Sequence, residues 1–269
     1  MSALPRQPRA EGTASIRARA GPGGTRLIAL HQAGCARILL PEPRRPELEA
    51  VLVNTAGGLT GGDRLAWEAE AGPGARLVLA SQAAERAYRA QPGETARLDI
   101  RLTLGARARI DWLAQDTILF DRSSLRRSLT VDMAADATLL AVEPVILGRA
   151  AMGETVEMAS FRDCWRVTRG GRLVFADALR LEGRVAEIAA AAPILAGARA
   201  FASLLYIAPD APDRLDEARA ALGSQGGASA RDGLLLMRLV APDGLALRRR
   251  IIETLARLLG RPLPRVWQL

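Results

Sequence analysis

From Thr25 to about Asp177 the chain alternates short apolar and polar runs with turn residues. The clearest run, Arg97-Leu98-Asp99-Ile100-Arg101-Leu102-Thr103-Leu104, is apolar at every second position. That period predicts a strand with one face packed and the other wet. Similar runs at 76–80 and 107–112 flank it, set off by Gly72-Pro73-Gly74, Gln91-Pro92-Gly93-Glu94 and Gly105. Further strands are expected at 26–31, 50–54, 117–120, 128–131, 138–142, 165–168 and 173–176. Many short strands at spacings near ten residues point to a sandwich, a barrel or a coiled sheet, and away from βαβ units. No repeat of fixed period marks a solenoid.

The last third changes period. Leu215, Ala218 and Leu222 share one face of a predicted helix over 212–222, with Asp210 or Asp213 to cap its start and Gly223 to end it. A second helix is predicted over 245–259, where Ile251, Ile252, Leu255, Leu258 and Leu259 recur at helical steps before Gly260, Pro262 and Pro264 stop it. Between them 234–240 reads as a buried strand, and 223–229 as a flexible Gly-Ser loop. Residues 1–24, rich in Arg, Pro and Gly without an apolar run, predict a solvated, disordered N-terminal tail ahead of a single domain over 25–269. The most apolar window, 185–208, is broken by Glu187, Pro193 and Arg199 and falls short of a membrane span.

Composition narrows the chemistry. The 269 residues include one histidine and two cysteines, and all 37 basic side chains are arginine, leaving a formal charge of +8. A Ser-His-Asp hydrolase, a His-rich metal enzyme, a lysine Schiff-base enzyme and a P-loop each need residues that are scarce or missing. Cys35 and Cys164 make a poor disulfide framework, so free thiols in a reducing cytoplasm are expected. The positive charge invites a nucleic-acid reading, but the arginines are scattered and aromatic residues make up only 4% of the chain, too few for stacking platforms. An acidic protein partner uses the same field.

Among local motifs, Asn54-Thr55-Ala56-Gly57-Gly58-Leu59-Thr60-Gly61-Gly62-Asp63 imitates P-loop glycines, yet Asp63-Arg64 stand where Lys-Ser/Thr belong. Tight turns or close backbone approach explain those glycines more simply, with a contact or conduit role for Asp63 as the rival. Asp116 and Asp121 are expected on opposite faces of a short strand, too far apart in direction for paired-carboxylate catalysis. Glu143, Glu154, Glu157 and Asp163 read as surface or turn carboxylates, or as a cluster lining an internal path. His31 and Cys35 lie close enough in sequence to meet, although a histidine at a strand end accounts for the first.

Taken in order, the glycine motif 54–63, Ser81-Gln82-Ala83-Ala84-Glu85-Arg86-Ala87-Tyr88, Trp112-Leu113-Ala114-Gln115-Asp116-Thr117-Ile118-Leu119-Phe120, Leu147-Gly148-Arg149-Ala150-Ala151-Met152-Gly153-Glu154, Asp163-Cys164-Trp165-Arg166 and Pro264-Arg265-Val266-Trp267 resemble the urease accessory protein UreD (UreH) family over nearly the whole chain. Two departures stand out: Ala114-Gln115-Asp116 where the family usually shows Pro-Gln-Glu, and Arg122-Ser123-Ser124 where it tends to have a small Gly-containing turn. The resemblance implies a mainly β fold, a coiled, β-helix-like arrangement of many short strands with two α-helices in the C-terminal third. It implies a non-enzymatic scaffold in GTP-dependent nickel insertion into apo-urease, acting with UreF and UreG, with no stably bound cofactor, no nucleic acid and no membrane. A Ni2+ ion in transit needs weak, exchangeable oxygen ligands, because a closed His and Cys set would not release it. Asp63, Glu143 and Glu154, acids in or beside the family-like motifs, are the expected path. A basic nucleic-acid-binding β module and a carbohydrate-active β-coil enzyme are the alternatives.

Overall fold

The computed structural model describes residues 8–41, 45–149 and 152–268. It is mainly β and coiled. One sheet of seven strands runs, in spatial order, Arg172–Arg184, Met158–Arg169, Ser124–Met133, Ala96–Leu104, Arg64–Ala71, Glu11–Gly21 and Gly24–Gly34. A second runs Gly226–Arg231, Leu234–Ala241, Ala200–Ile207, Thr138–Leu147, Arg109–Leu113, Arg76–Ser81, Leu48–Asn54 and Ala36–Leu39. A narrow third wall is formed by Glu85–Ala87 and Thr117–Leu119, which pair in parallel, and Thr117–Leu119 also pairs in parallel with the end of Thr138–Leu147.

The chain winds between these walls, and each circuit lays a strand parallel to the one before. Arg64 pairs with Arg97, Arg97 with Arg126 and Arg126 with Arg162, which makes successive coils 33, 29 and 36 residues long. That variation is why no fixed period shows in the sequence.

The alternating run at 97–104 belongs to Ala96–Leu104, whose residues are buried and exposed in strict turn. Its inward side chains join a core that fills the coil, with Ile16, Leu65, Leu102, Phe161 and Trp165 among its members. Thr138–Leu147, by contrast, is buried on both faces. Its other face lies under a second core formed with the helices and the C-terminal residues, including Leu247, Ile251, Leu255 and Trp267. Among the described residues nothing comparable covers the seven-stranded sheet, and its outward face is polar and largely exposed.

The C-terminal helix is Gly244–Leu259, with the Asp243 side chain accepting from Ala246 N at 2.8 Å and Gly260 left-handed at its end. The earlier helix is Leu215–Leu222, entered through a 3-10 turn at Pro212–Arg214. Neither acid predicted to cap it does so; Asp210 instead accepts from Tyr206 Oη at 2.8 Å and Arg214 Nε at 2.7 Å. A further short helix, Val185–Ala190, lies in the apolar window. Among the described residues no helix is long and apolar enough to cross a membrane.

Two expectations are corrected. The tail predicted over 1–24 contains an ordered strand: Glu11–Gly21 pairs in parallel with Arg64–Ala71 and buries Ala14, Ile16 and Ala18. The strict alternation of small and apolar with polar residues there is strand-like, and the arginines that suggested a tail are its outward positions. Residues 1–7 lie outside the described residues. The loop expected at 223–229 is a single 3-10 turn followed by Gly226–Arg231, an edge strand antiparallel to Leu234–Ala241. Its small side chains sit where Leu215–Leu222 packs closely.

Candidate functional site

Inside the coil, one arginine is held between two acids. Arg127 points inward from Ser124–Met133 and is 1% exposed. Its Nε and Nη2 donate to Asp163 Oδ1 and Oδ2 at 3.1 and 2.7 Å. Its Nη1 donates to Thr117 Oγ1 at 2.9 Å and to Glu143 Oε2. Two indoles complete the shell: Trp112 Nε1 donates to Glu143 Oε1 at 2.7 Å, and Trp165 Nε1 to Asp163 Oδ2 at 3.2 Å. The Phe161 ring lies 5.4 Å from the guanidinium carbon. All three walls contribute, so the cluster ties the coil across its interior.

Charge balance in this cluster is uneven, with two carboxyls against one guanidinium. Burial pushes the Glu143 carboxyl up to about 7; Arg127 pulls against that, and the neighbouring Asp163 adds to it. Burial works against the charge on Arg127, but the two acids outweigh it and hold the guanidinium above its ordinary range.

The three expected path residues are not gathered at one place. Asp63 is buried and spends both oxygens on backbone donors, Ala10 N and Thr60 N, each at 2.8 Å. It ties the start of Glu11–Gly21 to the glycine turn. In that turn Gly58 has φ +150°, and a Cβ there would lie 2.8 Å from Arg86 O, so close backbone approach accounts for the glycine. Glu154 accepts from Asp121 N at 3.2 Å, Arg149 N at 3.0 Å and Arg149 Nε at 2.8 Å, bracing the bend before Met158–Arg169. Glu143 alone stands in the interior, beside Asp163. Asp121 Oδ1 accepts from Glu157 N at 2.9 Å and Met158 N at 3.0 Å, so Asp121 serves a turn, while Glu157 is exposed.

A further acid, outside the sequence-based candidates, is half-buried. Glu85 accepts from Asn54 Nδ2 at 3.1 and 3.2 Å, and burial pushes its carboxyl up to about 7 although part of the residue stays open to solvent. Burial also raises the nearby Cys35 thiol, with Glu85 and Asp63 contributing. Burial raises Asp116 against the pull of Arg248. His31 is exposed on Gly24–Gly34, and both cysteines are free. Among the described residues no group of three or more His, Cys, Asp or Glu side chains is placed to hold a metal ion.

Arg127 was legible in principle. Extending the alternation of 128–131 backwards puts Leu125, Arg127 and Leu129 on one face, and Asp163 falls likewise between Phe161 and Trp165.

Comparison with known proteins gives the family. Residues 10–268 match the family model described as UreD urease accessory protein. The chain belongs to the UreD family. It is 49% identical to a urease accessory protein UreD of Rhizobium leguminosarum bv. viciae, covering 100% of this chain and 99% of that one. A UreD of Agrobacterium fabrum is 48% identical over 98% of this chain and 93% of its own. A third, from Azorhizobium caulinodans, is 46% identical with both chains covered completely.

The two departures from the UreD pattern now have locations. Arg122, where a glycine-containing turn was expected, takes φ +60°, a left-handed conformation that a non-glycine residue rarely adopts. Gln115, flanked by the altered Ala114 and Asp116, donates to Val266 O at 3.0 Å and accepts from Arg248, which joins the wall to the C-terminal residues.

Proposed function

We propose that this chain is a non-catalytic subunit of urease maturation, acting in the cytoplasm with UreF and UreG in GTP-dependent insertion of nickel into apo-urease. Membership of the UreD family over residues 10–268 carries the reading. The chain's own part is to hold an assembly together and to offer the ion passing, oxygen-lined contacts, with no cofactor retained. Arg127, Thr117 and the two tryptophans hold the interior carboxyls in fixed places, and burial raises the Glu143 carboxyl. A divalent cation entering there meets surplus negative charge without a closed thiolate or imidazole cage. Of the three carboxylates expected on the path, Glu143 is the one with a second acid, Asp163, beside it in the interior, and Trp112 and Arg127 occupy its two oxygens. Asp63 and Glu154 have their oxygens occupied by the backbone and serve the architecture of the coil.

Co-expression of the tagged chain with UreF, UreG and apo-urease tests this reading. The expected result is one complex containing all four proteins, which loads urease with nickel when GTP is supplied. Recovery of the chain without any of them would overturn the proposal. A carbohydrate-active site gains nothing from this geometry, because Glu143 and Asp163 are both bound to Arg127 inside the coil and do not flank a groove.

A further inference from the structure

Five arginines stand in one straight row across the uncovered sheet. Strand register places Arg64 beside Arg97, Arg97 beside Arg126, Arg126 beside Arg162 and Arg162 beside Arg180. All five are exposed and share the outward face. Neighbouring strands lie about 4.8 Å apart, so the row is about 19 Å long. Like charges side by side in a sheet repel. At one end Glu182 relieves this by binding both Arg162 and Arg180. Among the described residues, Arg64, Arg97 and Arg126 have no side-chain hydrogen bond or ion pair. A shallow cleft of about 260 Å³ opens beside the row, where Thr95 and Ser160 accompany Arg97, Arg126 and Arg162.

We propose that this row is the docking surface for an acidic α-helix of a partner protein. Carboxylates repeated at three- and four-residue steps along a helix rise by about 4.5 and about 6 Å, which keeps them in step with arginines about 4.8 Å apart. An extended acidic segment offers one carboxylate per about 6.7 Å on each face and drifts out of register within a few strands. A nucleic acid fits less well, because no aromatic side chain stands in the row to stack bases. The inference rests on the reading of the chain as an assembly subunit and deepens it by assigning a surface.

The test uses the tagged full chain co-expressed with UreF, UreG and apo-urease. It compares wild type with Arg64→Gln/Arg97→Gln/Arg126→Gln and with a control of equal charge change elsewhere, Arg76→Gln/Arg172→Gln/Arg257→Gln. The row variant is expected to recover at least one of these proteins at least tenfold less than wild type, while the control recovers it normally. A synthetic helical peptide with glutamates at three- and four-residue steps is expected to bind the wild-type complement at least tenfold more tightly than its scrambled isomer, and to lose that preference on the row variant. Equal recovery by row variant and wild type overturns the docking surface and leaves the maturation reading standing. Recovery of none of the proteins by wild type sinks both. If the row variant loses only retention of a 30-mer duplex DNA near physiological salt, the occupant is a polynucleotide and the acidic helix is wrong.

Discussion

Arg126 and Arg127 are consecutive on one strand and meet opposite surroundings. Arg126 is exposed between Arg97 and Arg162 on the outer face, whereas Arg127 is 1% exposed and bound to Glu143 and Asp163 inside. The two-residue period of a strand sends neighbouring side chains to opposite faces, and here it separates a surface suited to partners from a cross-brace of the interior.

Arg127→Met removes the guanidinium and leaves two buried carboxyls facing each other. Breaking a buried ion pair from one side costs about 3–5 kcal/mol. Chemical denaturation is expected to show a loss of that size, partly recovered when Glu143→Gln and Asp163→Asn are added. A loss below about 1 kcal/mol would show that the cluster does not brace the coil.

Asp63→Ala strips the acceptor from two backbone donors and is expected to destabilise the protein by about 1–3 kcal/mol. Since both oxygens are already engaged, nickel delivery per folded molecule should stay unchanged. A stable Asp63→Asn protein that binds its partners but delivers no nickel would place Asp63 on the ion's path after all.

The raised Glu85 and Glu143 carboxyls bind their protons more tightly in the folded chain than in the unfolded one. Their contribution is complete below the ordinary value of 4.5 and is lost as pH rises through about 7. Glu85→Gln cannot titrate, so relative to wild type it should gain on the order of 2 kcal/mol between pH 5 and pH 8. Thermal unfolding of both proteins across that range checks the sign; parallel curves would contradict it.

Trp267 closes the second core. It is 1% exposed, donates from Nε1 to Leu113 O at 3.0 Å and lies under the Arg248 guanidinium at 5.0 Å. Trp267→Ala should cost about 3–5 kcal/mol. Limited proteolysis is expected to cut the C-terminal segment first, and an unchanged cleavage pattern would count against this closure.

Much of this fold is visible in local patterning. The alternation at 97–104 and the apolar steps of 245–259 correctly indicate a half-buried strand and an amphipathic helix. The coil itself is not, because its circuits differ in length and the contacts that define it join residues about 30 apart. Glu11–Gly21 is concealed by composition, since arginine and small residues resemble a tail until the core of the coil covers every second one. For the site, Glu143 lies beside a family-like motif, but acids in or beside such motifs have different duties. Asp63 and Glu154 meet backbone donors while Glu143 meets Arg127, and only the three-dimensional arrangement separates these roles. The arginine row is equally invisible in one dimension, because its members lie one coil apart.

The most direct test of the account is the nickel content and activity of urease purified from cells carrying the full maturation set, compared with the same cells lacking only this chain. The account predicts intact urease that is poor in nickel and inactive when the chain is missing, with both properties restored when it is returned. Urease that acquires nickel equally well without the chain would contradict the role proposed for it.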